Sequence, residues 1–146
     1  MGMLEGKVVA VTGAGRGVGR EIALLCAQHG AAVVVNDPGV GGGGEGGDEG
    51  PAQQTVNDIV AAGGKAHANL ASVADPKGAV SIIEDAVQRF GRIDAVVNNA
   101  GILRDGIWHK MSHEDWNAVI DVHLNGCFNF SKAATPYFRE QQSGSF

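Results

Sequence analysis

Cysteine is scarce: Cys26 and Cys127 are the only two in 146 residues. That count excludes a disulfide scaffold, which needs more cysteines in a shorter chain, and fits two buried thiols in a reducing compartment. Positive charge is also short. Lys and Arg number 11 against 16 Asp and Glu, a net charge of −5, so no basic face is available for nucleic acid or an anionic membrane surface. No run approaches the ~20 apolar residues of a membrane span. The start, Met1 to Lys7, lacks the charged-then-apolar layout of a signal peptide. His29, His67, His109 and His113 have no metal-ligand spacing with carboxylates or Cys, so no metal site is expected. Together these absences predict a soluble, cytoplasmic chain without nucleic-acid, membrane or metal partners.

Glycine is what the chain has in excess, 23 residues where average usage of roughly 7% gives about 10. Some glycines must mark special backbone. Lys7 to Thr12 is a short continuous apolar run, as in a strand buried on both faces. After a glycine cluster, Val18 to His29 has helical spacing, with Val18, Ile22, Leu25 and Cys26 on one side and Gly30 as its stop. Ala31 to Asn36 is a second buried strand. Residues 38–51 are Gly-rich and acidic and read as a surface loop. A helix over Ala52 to Ala62, a strand over Lys65 to Leu70 and a helix over Pro76 to Phe90 follow, the last with Val80, Ile83, Val87 and Phe90 inward. Ala95 to Asn98 is a fourth strand. A long helix capped by Ser112, with Asp115 reaching back, runs to about Gln141 with a kink at Pro136. Trp116 is expected in the core. Strands alternating with helices predict an α/β fold, a doubly wound parallel sheet of Rossmann type.

The first strand runs into Thr12-Gly13-Ala14-Gly15-Arg16-Gly17-Val18-Gly19. Glycines 13, 17 and 19 then stand between a strand and a helix. Gly13 allows a tight turn, Gly17 lets a pyrophosphate approach the backbone, and Gly19 lets the helix pack closely. The helix N-terminus offers free N–H groups and partial positive charge to phosphate. Asp37 ends the second strand 24 residues after Gly13. A carboxylate there accepts hydrogen bonds from the adenosine ribose and repels a 2′-phosphate, which favours NAD over NADP. Arg16 pulls mildly the other way. Asn98-Asn99-Ala100-Gly101 closes the fourth strand, where small residues leave room for a flat adenosine unit and Asn side chains tie strands together.

This motif set resembles the short-chain dehydrogenase/reductase family, across essentially the whole chain. A closer likeness is to the (3R)-hydroxyacyl-CoA dehydrogenase units of peroxisomal multifunctional enzymes type 2 and their bacterial relatives. It is carried by Val35-Asn36-Asp37 before a long Gly-rich loop, Gly63-Gly64-Lys65-Ala66, Asn98 to Asp105, and Val122-His123-Leu124. The likeness implies an NAD-dependent oxidoreductase interconverting a secondary alcohol and a ketone, with a 3-hydroxyacyl-CoA among its substrates. It also implies homo-oligomers, dimer or tetramer, through the long helix, where Val119, Val122, Cys127 and Phe130 form the apolar face. Gly13, Arg16, Gly17, Val18, Gly19, Asp37, Ser72, Asn99, Ala100, Gly101 and Val122 become the cofactor-binding candidates.

Three departures stand out. Ala71 takes the place of an Asp that the family uses on the adenine amino group, leaving backbone and Ser72. His123 stands where the family places a proton-relay Asn, which makes it the catalytic candidate; Asn125 is not its equivalent. The family's Ser and Tyr-x-x-x-Lys are not found: the sole tyrosine, Tyr137, is followed four residues later by Gln141. An unperturbed phenol, with pKa ≈ 10, is a poor base at neutral pH. Residues 1–146 therefore read as the N-terminal, dinucleotide-binding part of a single dehydrogenase domain, inactive alone. The alternatives are an NADPH-dependent 3-oxoacyl carrier-protein reductase and a non-catalytic nucleotide-binding module.

Overall fold

The structure is a computed structural model and describes residues 2–40, 43–44 and 50–146. Four parallel strands form one sheet in the order β3-β2-β1-β4: β1 (Val8–Thr12), β2 (Ala32–Asn36), β3 (Lys65–Asn69) and β4 (Ala95–Val97). Alternate residues of β1 and β2 feed two cores. Val9, Val11, Val33 and Val35 meet helices α1 (Gly17–Gln28) and α2 (Gly50–Ala61) on one side. Val8, Ala10 and Val34 meet α3 (Pro76–Phe90) and α5 (Gly126–Gln141) on the other. Burial on both faces is why these strands read as continuous apolar runs. The expected doubly wound parallel sheet is the fold observed.

Local chemistry sets several helix ends. The Asp75 side chain accepts from Lys77 N at 3.0 Å, and Pro76 opens α3, where its missing N–H costs nothing. Gly91, at φ +83°, stops α3 in the left-handed region. Ser112 caps α4 (His113–Ile120): its Oγ accepts from Asp115 N at 3.0 Å and donates to Asp115 Oδ2 at 2.7 Å.

Several expectations need correction. The buried residues of α1 are Gly19 and Ala23, while Val18 and Leu25 are exposed. Small residues let α1 approach the sheet, so its larger side chains ride outside. In α3, Val80 is exposed and Ala79, Ile82, Ile83 and Ala86 face inward. α2 begins at Gly50 rather than Ala52, with Pro51 in its first turn. Most of the Gly-rich stretch, residues 41–42 and 45–49, lies outside the described residues. Trp116 is 48% exposed and meets Trp108 edge-on at a centroid distance of 6.0 Å, not the core.

The long helix is not uniform. A π-helical segment, Asp121–Asn125, separates α4 from α5, whereas α5 continues through Pro136 on its exposed side. The irregular segment contains His123, whose ring engages the backbone of Ile102 in the loop after β4. Phe130, expected to face a partner chain, is fully buried against α3 and the sheet, and Val122 packs on the same core.

At the amino end of the sheet, Asp94 joins β1 to β4. It accepts from Val8 N at 3.0 Å, from Lys7 Nζ at 3.2 Å and from Arg92 at 2.7 and 2.8 Å. Burial pushes its carboxyl up, but these bonds from Arg92, Val8 and Lys7 outweigh it and hold it below the usual carboxylate range. On the outer edge of β4, Ser145 pairs in parallel with Ala95: Ser145 N donates to Asp94 O and Val96 N to Ser145 O, both at 3.0 Å.

Candidate cofactor cleft

A cleft of about 480 Å³ opens at the carboxyl ends of the strands. Open parallel sheets bind ligands there, because loops from neighbouring strands diverge and helix N-termini point inward. The cleft is walled by Gly13 and Arg16, by Asn36 and Asp37, by Ser72, Val73 and Ala74, by Asn99 to Ile102, and by Ala118, Asp121 and Val122 of the long helix.

The glycine turn is fixed by close approach. Gly13 is at φ +63°, and a Cβ there would lie 3.0 Å from Ala100 Cα. At Gly19 a Cβ would collide with the Gly13 carbonyl oxygen and Asn99 Nδ2, so the helix backs directly onto the turn. Gly17 is different. It sits at φ +55° with nothing within 4 Å of where a Cβ would be. That open space lies at the first turn of α1, whose N-cap, Arg16, makes no side-chain cap and whose first turn holds no acidic residue. Orphan N–H groups at such a terminus suit a phosphate.

Two further ties hold the turn. Thr12 Oγ1 donates to Val97 O at 3.2 Å and accepts from Asn99 N at 3.1 Å and Ala100 N at 3.0 Å. Asn99 Nδ2 donates to Thr12 O at 2.9 Å and Gly13 O at 3.1 Å. Asp37 closes the other flank: its Oδ2 accepts from Gly15 N at 2.9 Å and its Oδ1 from Gly39 N at 2.8 Å. A Cβ at Gly15 would stand 2.7 Å from that carboxylate and from Pro51 Cβ. Sequence reasoning missed Gly15 and Thr12. The signal for Gly15 was its place among alternating glycines, but the carboxylate that excludes a side chain is 22 positions away.

Of the twelve residues singled out from the sequence, the structure brings Gly13, Arg16, Asp37, Ser72, Asn99, Ala100, Gly101 and Val122 to this cleft. Gly17 borders a neighbouring hollow with Gly15 and Arg16. Val18 is exposed on the first turn of α1, and Gly19 is buried behind the turn. Ser72 Oγ accepts from Ala74 N at 3.2 Å, which shapes the wall after β3. His123 does not line the cleft. Its Nε2 lies 3.0 Å from Ile102 N and 2.9 Å from Ile102 O. One nitrogen serves a donor or an acceptor according to tautomer, so the ring bolts the π segment to the loop after β4. Asn125 donates to Asp121 Oδ1 at 2.8 Å, on the surface. Tyr137 packs against the α3 side of the core.

Among the described residues no helix is long and apolar enough to cross a membrane. A family model described as short chain dehydrogenase matches residues 7–146. The peroxisomal multifunctional enzyme type 2 of Drosophila melanogaster is 50% identical over 140 residues, covering 96% of this chain and 23% of that protein. A 3-oxoacyl-acyl-carrier-protein reductase of Thermotoga maritima is 39% identical over 142 residues, covering 97% and 54%. A short chain dehydrogenase from Mycobacterium avium superposes with a TM-score of 0.88 at 48% identity, over 97% of this chain and 50% of that one. The chain thus spans about half the length, or less, of these relatives.

Proposed function

Since the chain belongs to the short chain dehydrogenase family, we propose that it forms the cofactor-binding part of a single NAD-dependent dehydrogenase domain that interconverts a secondary alcohol and a ketone. The observation that carries the reading is the Asp37 carboxylate, held by Gly15 N and Gly39 N at the rim of the cleft. Fixed there, it favours ribose hydroxyls and opposes a 2′-phosphate. The uncapped start of α1 and the open space at Gly17 would take the pyrophosphate, and Ala100, Gly101 and Val122 would flank the adenosine. A nicotinamide bound there would supply the hydride acceptor for the alcohol carbon. His123, through Ile102, fixes the loop that forms one wall.

The substrate we propose is a 3-hydroxyacyl-CoA, supported by the likeness to a peroxisomal multifunctional enzyme type 2. The proposed setting is cytoplasmic, on composition and cysteine content. Self-association through the long helix is proposed on a different face from the one the sequence suggested, that of the exposed Leu124 and Phe128. Arg16, on the same cleft, favours a second reading, reduction of a 3-oxoacyl thioester with NADPH, as does the likeness to a 3-oxoacyl-acyl-carrier-protein reductase. Titration of the intact protein with NAD and NADP at matched salt separates the two. Tighter NAD binding with turnover of a 3-hydroxyacyl-CoA is expected; equal or tighter NADP binding would reject the first reading.

A further inference from the structure

Backbone outside strands and helices must find its hydrogen bonds elsewhere. The loop after β3, whose Ser72, Val73 and Ala74 form one wall of the cleft, finds them largely in asparagine side chains. At its start Asn36 Nδ2 donates to Ala71 O at 2.8 Å, and Asn69 Oδ1 accepts from Ala71 N at 2.9 Å. Asn36 Nδ2 also meets Asn69 Oδ1 at 3.1 Å, and Asn69 Nδ2 donates to Asp85 Oδ2 on α3 at 2.7 Å. Further along, Ser72 accepts from Ala74 N through its hydroxyl and from Asp75 N through its carbonyl. The far end is tied from α5. Asn129 Nδ2 donates to Val73 O at 3.0 Å and lies 3.4 Å from Ala74 O. Asn129 is half-buried and does not line the cleft.

The place of Asn129 gives this bond its reach. Ala118, Asp121 and Val122 form a second wall, on the helical column that α5 continues. Val122 and Val73 pack in one apolar cluster, and a Cβ at Gly126 would stand 2.8 Å from Val73 Cγ2. One column therefore carries the second wall and also grips the first. Val73 is the buried root of the loop, while Ala74, Ala100, Ala118 and Val122 keep some surface in the cleft. These side chains offer contact rather than hydrogen bonds, which suits the face of an aromatic base. Contact is lost steeply with distance: a gap of about 0.5–1 Å forfeits a quarter to a half of it. We propose that Asn129, outside the cleft, is a positioning residue: it holds the loop after β3 against the cofactor's base and so favours a two-ring base over a one-ring base. The inference rests on the dinucleotide reading above and deepens it.

Nicotinamide cytosine dinucleotide is the probe, since it keeps both sugars, the phosphates and an exocyclic amine but has one ring in place of two. The intact protein is titrated with it and with NAD by calorimetry, and each variant's melting temperature is recorded. Unaltered protein is expected to bind NAD about tenfold more tightly, from the contact area of the second ring. In Asn129→Ala the ratio falls to roughly threefold to sixfold, as the released wall relaxes. Asn129→Leu, of similar bulk but without the donor, gives the same fall. A purely stabilising Asn129 would lower the melting temperature and leave the ratio at its parental value, which would overturn the proposal. A parental ratio in Asn129→Leu alone would also overturn it, by assigning the effect to packing. Equal affinities in the unaltered protein would overturn it without recourse to any variant, and would leave the dinucleotide site standing. Failure to bind either dinucleotide would overturn both.

Discussion

The two ends of the sheet are built on opposite plans. At the amino end, Asp94 is answered by Lys7, Arg92 and the Val8 N–H, and the strands are clamped. At the carboxyl end the start of α1 has no side-chain cap, Gly17 faces open space and the Asn36 oxygen has no donor. Both ends are polar, so polarity does not mark the site. What separates them is satisfaction: the closed end pairs its polar groups, and the open end leaves some of its own unpaired.

The largest expected effect follows from how the open end is equipped. On the proposed reading it would bind a dinucleotide, but the chain's one tyrosine, Tyr137, has Gln141 rather than Lys four residues on to help move a proton. Purified residues 1–146 should give no NADH from a 3-hydroxyacyl-CoA, because loss of a positioned base alone costs ~10²–10⁴-fold. Turnover near that of the intact protein would place a catalytic group within these residues.

A change at the closed end should leave binding alone. Asp94→Ala strands Val8 N and unpairs Lys7 and Arg92, and should lower unfolding free energy by about 2 kcal/mol, read from urea midpoints, with the NAD dissociation constant unchanged. Because the folded-state pKa of Asp94 is depressed, its contribution is present above the unfolded-state value and is lost as pH falls through the folded one. The gap between variant and parent should therefore close in acid. A gap that persists in acid would assign the effect to packing.

At the open end the expected pattern is the reverse. Gly17 needs a residue that tolerates positive φ, and Asn does so better than most. Gly17→Asn should weaken NAD binding about tenfold with little change in melting temperature. An unchanged affinity would move the phosphate site elsewhere. The smallest effect is expected from Asp37→Ser, which should narrow the ratio of NAD to NADP affinity by a few-fold at most. A widened ratio would show that the carboxylate opposes NAD.

Much of this was legible in the sequence because it depended on local pattern. Buried parallel strands, Gly13 before a helix, and the Ser112 cap each carry their reason within a few residues. What was not legible depends on partners far along the chain. Gly19 and Ala23 are buried on α1, rather than Val18 and Leu25, because the helix sits close to the sheet. The π segment contains His123, which meets Ile102 across 21 positions, while Pro136 drew attention only by its own covalent geometry. The Asn36 amide reads as one polar residue in a strand until Asn69 and Asp85 show which way it must face.

The ties from Thr12 and Asn99 bridge 85 to 88 positions of chain. Loop closure over such a distance precedes any gain from those bonds, so they form only once β4 lies beside β1. On the proposed reading, cofactor affinity would gauge sheet completion rather than the turn alone. A dinucleotide at 100 times its dissociation constant would hold the entire four-stranded sheet more tightly by about 2.7 kcal/mol, through mass action. Partly assembled chains, lacking the last strand, would gain nothing from it.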